Sequence, residues 1–158
     1  MRADLSVRSA SALPAEEDER AASIDETGIR RLVYGFYDAV RGDPLLGPVF
    51  NREIAAEEWP QHLETMCAFW SSVLLRTRGY DGRPMRPHLG LADISDAHFQ
   101  RWLDLFSVAA RNAFDEAGAA IVLAYAERIA QSFRLGIAMH RGESTVHMRP
   151  LAARPQPD

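Results

Sequence analysis

Apolar residues recur at helical spacing in four long stretches of the chain, and the polar and breaker residues between them mark where helices start and stop. In the first stretch Ile29, Leu32, Val33, Phe36, Tyr37 and Val40 follow the i, i+3, i+4 rule. Ser23 with Glu26 three residues on predicts a capping box at its start, with Thr27 as a later start, and Gly42-Asp43-Pro44 ends the run. Leu45, Leu46, Val49 and Phe50 then lie among Pro44, Gly47 and Pro48, which predicts a compact apolar corner over 43–55. The second helix carries Trp59, His62, Leu63, Met66, Phe69, Trp70, Val73 and Leu74 on one broad face. Proline is tolerated only in a first turn, so Pro60 places that start near Glu58, with His62 one turn in.

After Arg76, Arg78 and Gly79 comes a segment dense in breakers, Tyr80 to Leu91, in which Gly82, Pro84 and Pro87 precede His88 and Gly90 follows it. No long helix forms through such a segment, so His88 is presented from a short turn. Ser95 or Asp96 caps a third long helix with Phe99, Trp102, Leu103, Phe106, Ala109, Ala110, Ala113 and Phe114 on its inner side. Gly118 is expected to separate it from a fourth, with Val122, Tyr125, Ile129, Phe133, Gly136 and Ile137 inward, and Gly142 to end the pattern. The two are expected to pair antiparallel. No strand-like alternation and no repeat interrupts this, so the fold class is all-α. The expected organisation is a disordered arm over 1–22, one helical domain over 23–141 and a flexible, proline-bearing tail over 142–158.

Composition narrows the partners more than the fold. The chain has 158 residues, the size of one domain, and a net charge of −4 without the basic excess that phosphate-backbone binding needs. Nucleic acid is therefore not an expected partner. Every basic side chain is arginine, which excludes Schiff-base chemistry and a lysine-bearing phosphate loop. The single cysteine, Cys67, falls within a helical pattern and reads as a packing residue. No apolar run approaches a membrane span and the first residues lack a signal-like apolar stretch, so a cytoplasmic location is expected.

Each polar residue on an apolar face has an ordinary explanation. His88 alone would be a surface loop histidine, His62 a boundary histidine bonded to a carbonyl, and Tyr37 and Trp102 core aromatics whose polar tips find partners. His98, His140 and His147 carry no assigned role. What sets the four apart is their order along the chain. From about Gly28 to Ala138 the sequence resembles the truncated haemoglobins, and their third group more than the first or second. The resemblance is carried by Phe36-Tyr37, Leu46-Gly47-Pro48-Val49-Phe50-Asn51, Glu58-Trp59-x-x-His62 with Phe69-Trp70, Tyr80-x-Gly82-x-Pro84-x-x-x-His88-Leu89-x-Leu91, and Phe99-x-x-Trp102-Leu103-x-Leu105-Phe106.

That resemblance implies a globin of two-over-two helical sandwich form around haem b, with His88 as axial ligand to iron and Tyr37, His62 and Trp102 on the distal side. The residue types agree with such a use. Neutral imidazole is a strong axial base when its second N–H is held, and carbonyls of the Pro84–Pro87 turn are placed to hold it. Phe36, Phe50, Leu63, Met66, Phe69, Leu91 and Phe106 supply apolar walls, while Arg83 and Arg86 beside the turn suit the propionates. The implied ligands are dioxygen and other diatomics, with a reductase as a further expected partner. Donors on the distal side slow oxygen release, so redox chemistry of the nitric oxide dioxygenase or peroxidase kind, or ligand sensing, is expected ahead of bulk oxygen transport. The competing reading is a cofactor-free helical interaction domain with structural histidines. A di-metal carboxylate bundle fits poorly, because it needs paired Glu-x-x-His elements and the chain has none.

Overall fold

Residues 23–80, 82 and 93–156 are described here, from a computed structural model. They form five α-helices and one 3-10 turn, with no strand among the described residues. Helix α1 spans Glu26–Gly42, α2 Gly47–Glu53, α3 Trp59–Leu75, α4 Asp96–Ala113 and α5 Glu116–His140; the 3-10 turn, Ala56–Glu58, leads directly into α3.

Local chemistry sets these boundaries. The cap of α1 is Asp25 and not Ser23: its carboxylate accepts the Gly28 N–H at 2.8 Å. Aspartate caps as well as serine and adds charge at the positive end of the helix dipole, so the later start wins. Glu26 is thereby released from the expected capping box, and its carboxylate accepts the buried Ser71 hydroxyl at 2.6 Å, tying α1 to α3. Pro60 lies in the first turn of α3, as its missing N–H requires, and α3 ends on Arg76 in the left-handed region, φ 57°. Ser95 caps α4, and its N–H donates to His98 Nδ1 at 3.2 Å, so His98 closes a capping box. Gly118 does not separate α4 from α5. It sits in the first turn of α5, where its N–H donates to the Asp115 carboxylate at 2.7 Å and a Cβ would crowd Asp115, Phe114 and Ser23. Close packing rather than a break explains this glycine. Gly142, at φ 73°, follows the end of α5.

Helix α1 is the hub, packing against α2, α3 and α4, while α4 packs on α5. The α4–α5 pair is antiparallel: two residues join them, and Arg134 late in α5 reaches back to Asp96 at the start of α4, at 2.9 Å to each carboxylate oxygen. The pairs α1/α3 and α4/α5 make the two-over-two arrangement. Their shared core joins Ile29, Leu32, Val33, Phe36 and Val40 of α1 to Leu103 and Phe106 of α4 and Val122 of α5, all 0–2% exposed. Beyond α5 the chain runs back over α4: the Arg149 carbonyl accepts from Arg134, the Ala152 carbonyl from Gln100, and Arg154 pairs with Asp104. None of the described helices is long and apolar enough to cross a membrane.

Candidate functional site

The site grows from adjacent residues on α1. Phe36 and Tyr37 diverge by about 100° around the helix, so one enters the core and the other turns toward α2 and α3. Phe36 meets the edges of Trp102 and Phe106 on α4, at 5.4 and 5.2 Å between ring centres. Tyr37 lies 6.1 Å from Phe50 on α2, 5.8 Å from Trp59 and 5.2 Å from His62 on α3, the last edge-on at 84°. The two rings of α1 are themselves in edge contact at 4.9 Å. One continuous aromatic cluster therefore joins Tyr37, His62 and Trp102, which are 65 residues apart at the extremes of the sequence span and meet only because α1 packs against both α3 and α4.

Electrostatics give each group a definite character. Burial pushes the Tyr37 phenol far above its ordinary range, so it stays protonated and acts as a neutral O–H. His62 is half-buried with its Nε2 buried, and its ring stands edge-on to Trp59 as well, at 5.4 Å. Above Trp59, the Arg41 guanidinium lies 4.5 Å from the ring centre, a cation–π contact that also fixes the last turn of α1. Leu63 and Tyr37 line a hollow of about 390 Å³ together with Tyr34, Gly35, Asp38 and Arg41, so the cluster has a polar approach between α1 and α3. A second hollow of about 400 Å³, at the other end of α1, is bounded by Ser23, Asp25, Arg31 and Asp115 and lies apart from these aromatics.

Of the residues expected at the site, Tyr37, Phe36, Phe50, His62 and Leu63 converge, and Trp102 and Phe106 join through Phe36. Met66 is half-buried against the same core. His88, Arg83, Arg86 and Leu91 lie outside the described residues. Two further residues take part, Trp59 and Arg41. Trp59 stands one turn before His62 on the same face of α3, a spacing that already pointed to it, whereas Arg41 reads in sequence as an ordinary polar end of a helix.

A helical sandwich of this form, with a tyrosine, a histidine and a tryptophan gathered from its first, third and fourth helices, defines the globin class in reduced form. No family model matches the chain. Among characterised proteins it is 34% identical over 114 residues to the group 3 truncated haemoglobin ctb of Campylobacter jejuni, a match spanning 71% of this chain and 90% of that one. The crystal structure of the group III truncated haemoglobin from Campylobacter jejuni superposes with a TM-score of 0.69 and 34% identity, covering 72% of this chain and 91% of that chain. The protein belongs to the group III truncated haemoglobins.

Proposed function

We propose that this globin binds haem b, with His88 as the axial ligand to iron, and that dioxygen or another diatomic ligand is held among Tyr37, His62 and Trp102. The observation that carries the reading is the edge-on approach of His62 and Tyr37 at 5.2 Å, in a cluster that is apolar except for a few hydrogen-bonding tips. The wall residues support it. Phe36 and Phe106 are fully buried, whereas Phe50, Leu63 and Met66 are half-buried, as suits side chains that give one face to the core and another to a flat apolar group.

Haem iron supplies ligand binding and one-electron chemistry. The chain supplies polarity and exclusion of water. Tyr37, held neutral, offers a proton for hydrogen bonding without itself ionising, and the indole N–H of Trp102 and a ring nitrogen of His62 add two further donor groups to the same cluster. Donors in a low-dielectric pocket stabilise a ligand that acquires negative charge, so they slow its release and suit a catalyst or sensor more than a carrier. Arg83 and Arg86 are proposed to meet the propionates, and a reductase to return electrons.

The test is the absorption spectrum of the purified full chain, oxidised, reduced and under carbon monoxide, beside that of His88→Ala. An intense haem band that shifts with carbon monoxide and is weakened or altered in the variant is expected. A colourless protein that takes up no added haemin would leave the cofactor-free interaction domain as the better account.

A further inference from the structure

Five rings stand in an unbroken row from Trp102 to Tyr80. Trp102 stacks on Phe106, 5.3 Å between centres and 17° between planes. Phe106 lies 5.1 Å from Trp70, Trp70 5.4 Å from Phe69, and Phe69 5.2 Å from Tyr80, which is half-buried where α3 has ended. Oxidisable rings therefore alternate with phenylalanines. Packing alone asks for apolar bulk at these positions, and leucine would serve; it does not ask for indole, indole and phenol as every second member.

We propose that Trp102, Trp70 and Tyr80, bridged by Phe106 and Phe69, form a route for single electrons between the pocket and the protein surface, an inference that rests on the haem reading for its oxidant. Phenylalanine is too hard to oxidise to hold the charge, so it acts as a contact bridge, while each indole gives up one electron and is refilled by the next ring. Tyr80, at the end, loses an electron and its phenolic proton, which passes to solvent, and becomes a neutral radical that an external one-electron donor such as ascorbate or a phenol restores. Reduction of one hydrogen peroxide to two waters breaks the O–O bond and takes up two electrons and two protons. Two passes along the route, with two donor molecules oxidised, balance it.

The geometry also selects this branch over another. Tyr37 touches Trp59 at 5.8 Å, but Trp59 is 1% exposed and has the Arg41 guanidinium 4.5 Å from its ring centre. A neighbouring positive charge opposes formation of an indole radical cation, and the ring does not reach solvent. Among the described residues the cation–π contacts fall on Tyr34, Trp59 and Tyr125, none of them in the row.

The experiment treats the haem-loaded full chain with hydrogen peroxide in the presence of a spin trap and maps the adduct by peptide mass spectrometry. The adduct is expected on Tyr80, abolished there by Tyr80→Phe and reduced several-fold by Trp70→Phe, with the haem band unchanged in both variants. In parallel, the same proteins stripped of cofactor are oxidised with azide radical, and transfer of the indole radical to tyrosine is followed optically. It is expected to lose amplitude in Tyr80→Phe and to slow several-fold in Trp70→Phe. Adducts on Tyr34 or Tyr125 instead, or variants indistinguishable from the parent in either arm, would overturn the route. A protein without a haem band overturns the haem reading, and the azide arm then decides the route by itself.

Discussion

Tyr37 keeps its proton because burial makes the phenolate far costlier than the phenol, and that protonated oxygen is what a negatively polarised ligand needs. Replacing it removes a donor and little volume. Tyr37→Phe is expected to speed oxygen dissociation several-fold, the equivalent of about 1 kcal/mol for one hydrogen bond, and Trp102→Leu to do so to a similar degree. Stopped-flow displacement by carbon monoxide measures both, and unchanged rates would remove these residues from the ligand's surroundings. Asp43 is the comparable residue for stability. Its buried carboxylate accepts the Leu45 and Leu46 N–H groups at 3.1 and 3.0 Å and pairs with Arg101 at 2.7 Å, so one side chain ties the α1–α2 corner to α4. Asp43→Ala leaves three donors without it and is expected to cost about 2–3 kcal/mol, read from urea unfolding. An effect within experimental error would show that water replaces the carboxylate freely.

At the scale of elements, the corner between α1 and α2 is as tight as backbone allows. A Cβ on Gly47 would stand 2.8 Å from the Arg41 carbonyl oxygen, and that carbonyl also accepts from the Asn51 side chain at 3.1 Å. Backbone cannot swing aside as a side-chain tip can. Gly47→Ala is therefore expected to lower stability by about 1–3 kcal/mol, as overpacking does, and to shift the near-ultraviolet signal of Trp59, since Arg41 rests on that ring. A variant with the parent's unfolding midpoint and aromatic spectrum would refute this account of the corner. Helix α3 ends at Leu75 on a non-glycine residue in the left-handed region, Arg76, ahead of the segment from Tyr80 that leads to His88.

Across the whole molecule, buried carboxylates bind the layers and the end of the chain together. Burial alone would raise the Asp104 carboxyl, but hydrogen bonds from the Arg154 side chain and backbone and from Gln100 outweigh it and hold the group below the usual aspartate range; Asp43 is held down in the same way. The buried Arg134 guanidinium lowers Asp96, whose own side chain is exposed. A carboxyl whose folded pKa lies below its unfolded value contributes stability that is complete above the unfolded value and is lost as pH falls through the folded one. Unfolding free energy is therefore expected to be flat near neutrality and to drop steeply below about pH 4, the ordinary aspartate value. Arg154→Ala should make that drop shallower, with only a small loss at neutral pH because the arginine side chain is 66% exposed. Urea titrations across pH measure both, and equal slopes for the two proteins would exclude the end of the chain from the acid response.

Much of this is legible in the sequence itself. Helical spacing on α1, α3, α4 and α5, together with proline and glycine punctuation, determined the elements, because amphipathic period and breaker chemistry are local properties. The order of aromatic and histidine motifs pointed to the family, since each motif is a short run of residues that can be read along the chain. Tertiary structure decided what those elements do to one another. Asp25 took the cap from Ser23, Gly118 proved to be a close-packing residue within a helix, and Glu26 turned to Ser71, because competing local partners are separated only by what packs against them. The gathering of Tyr37, His62 and Trp102, the cation above Trp59 and the row from Trp102 to Tyr80 join residues from α1, α3, α4 and the turn after α3. Nothing local encodes such meetings; they exist because of how α1, α3 and α4 pack together, and contacts between elements are what a linear pattern does not carry.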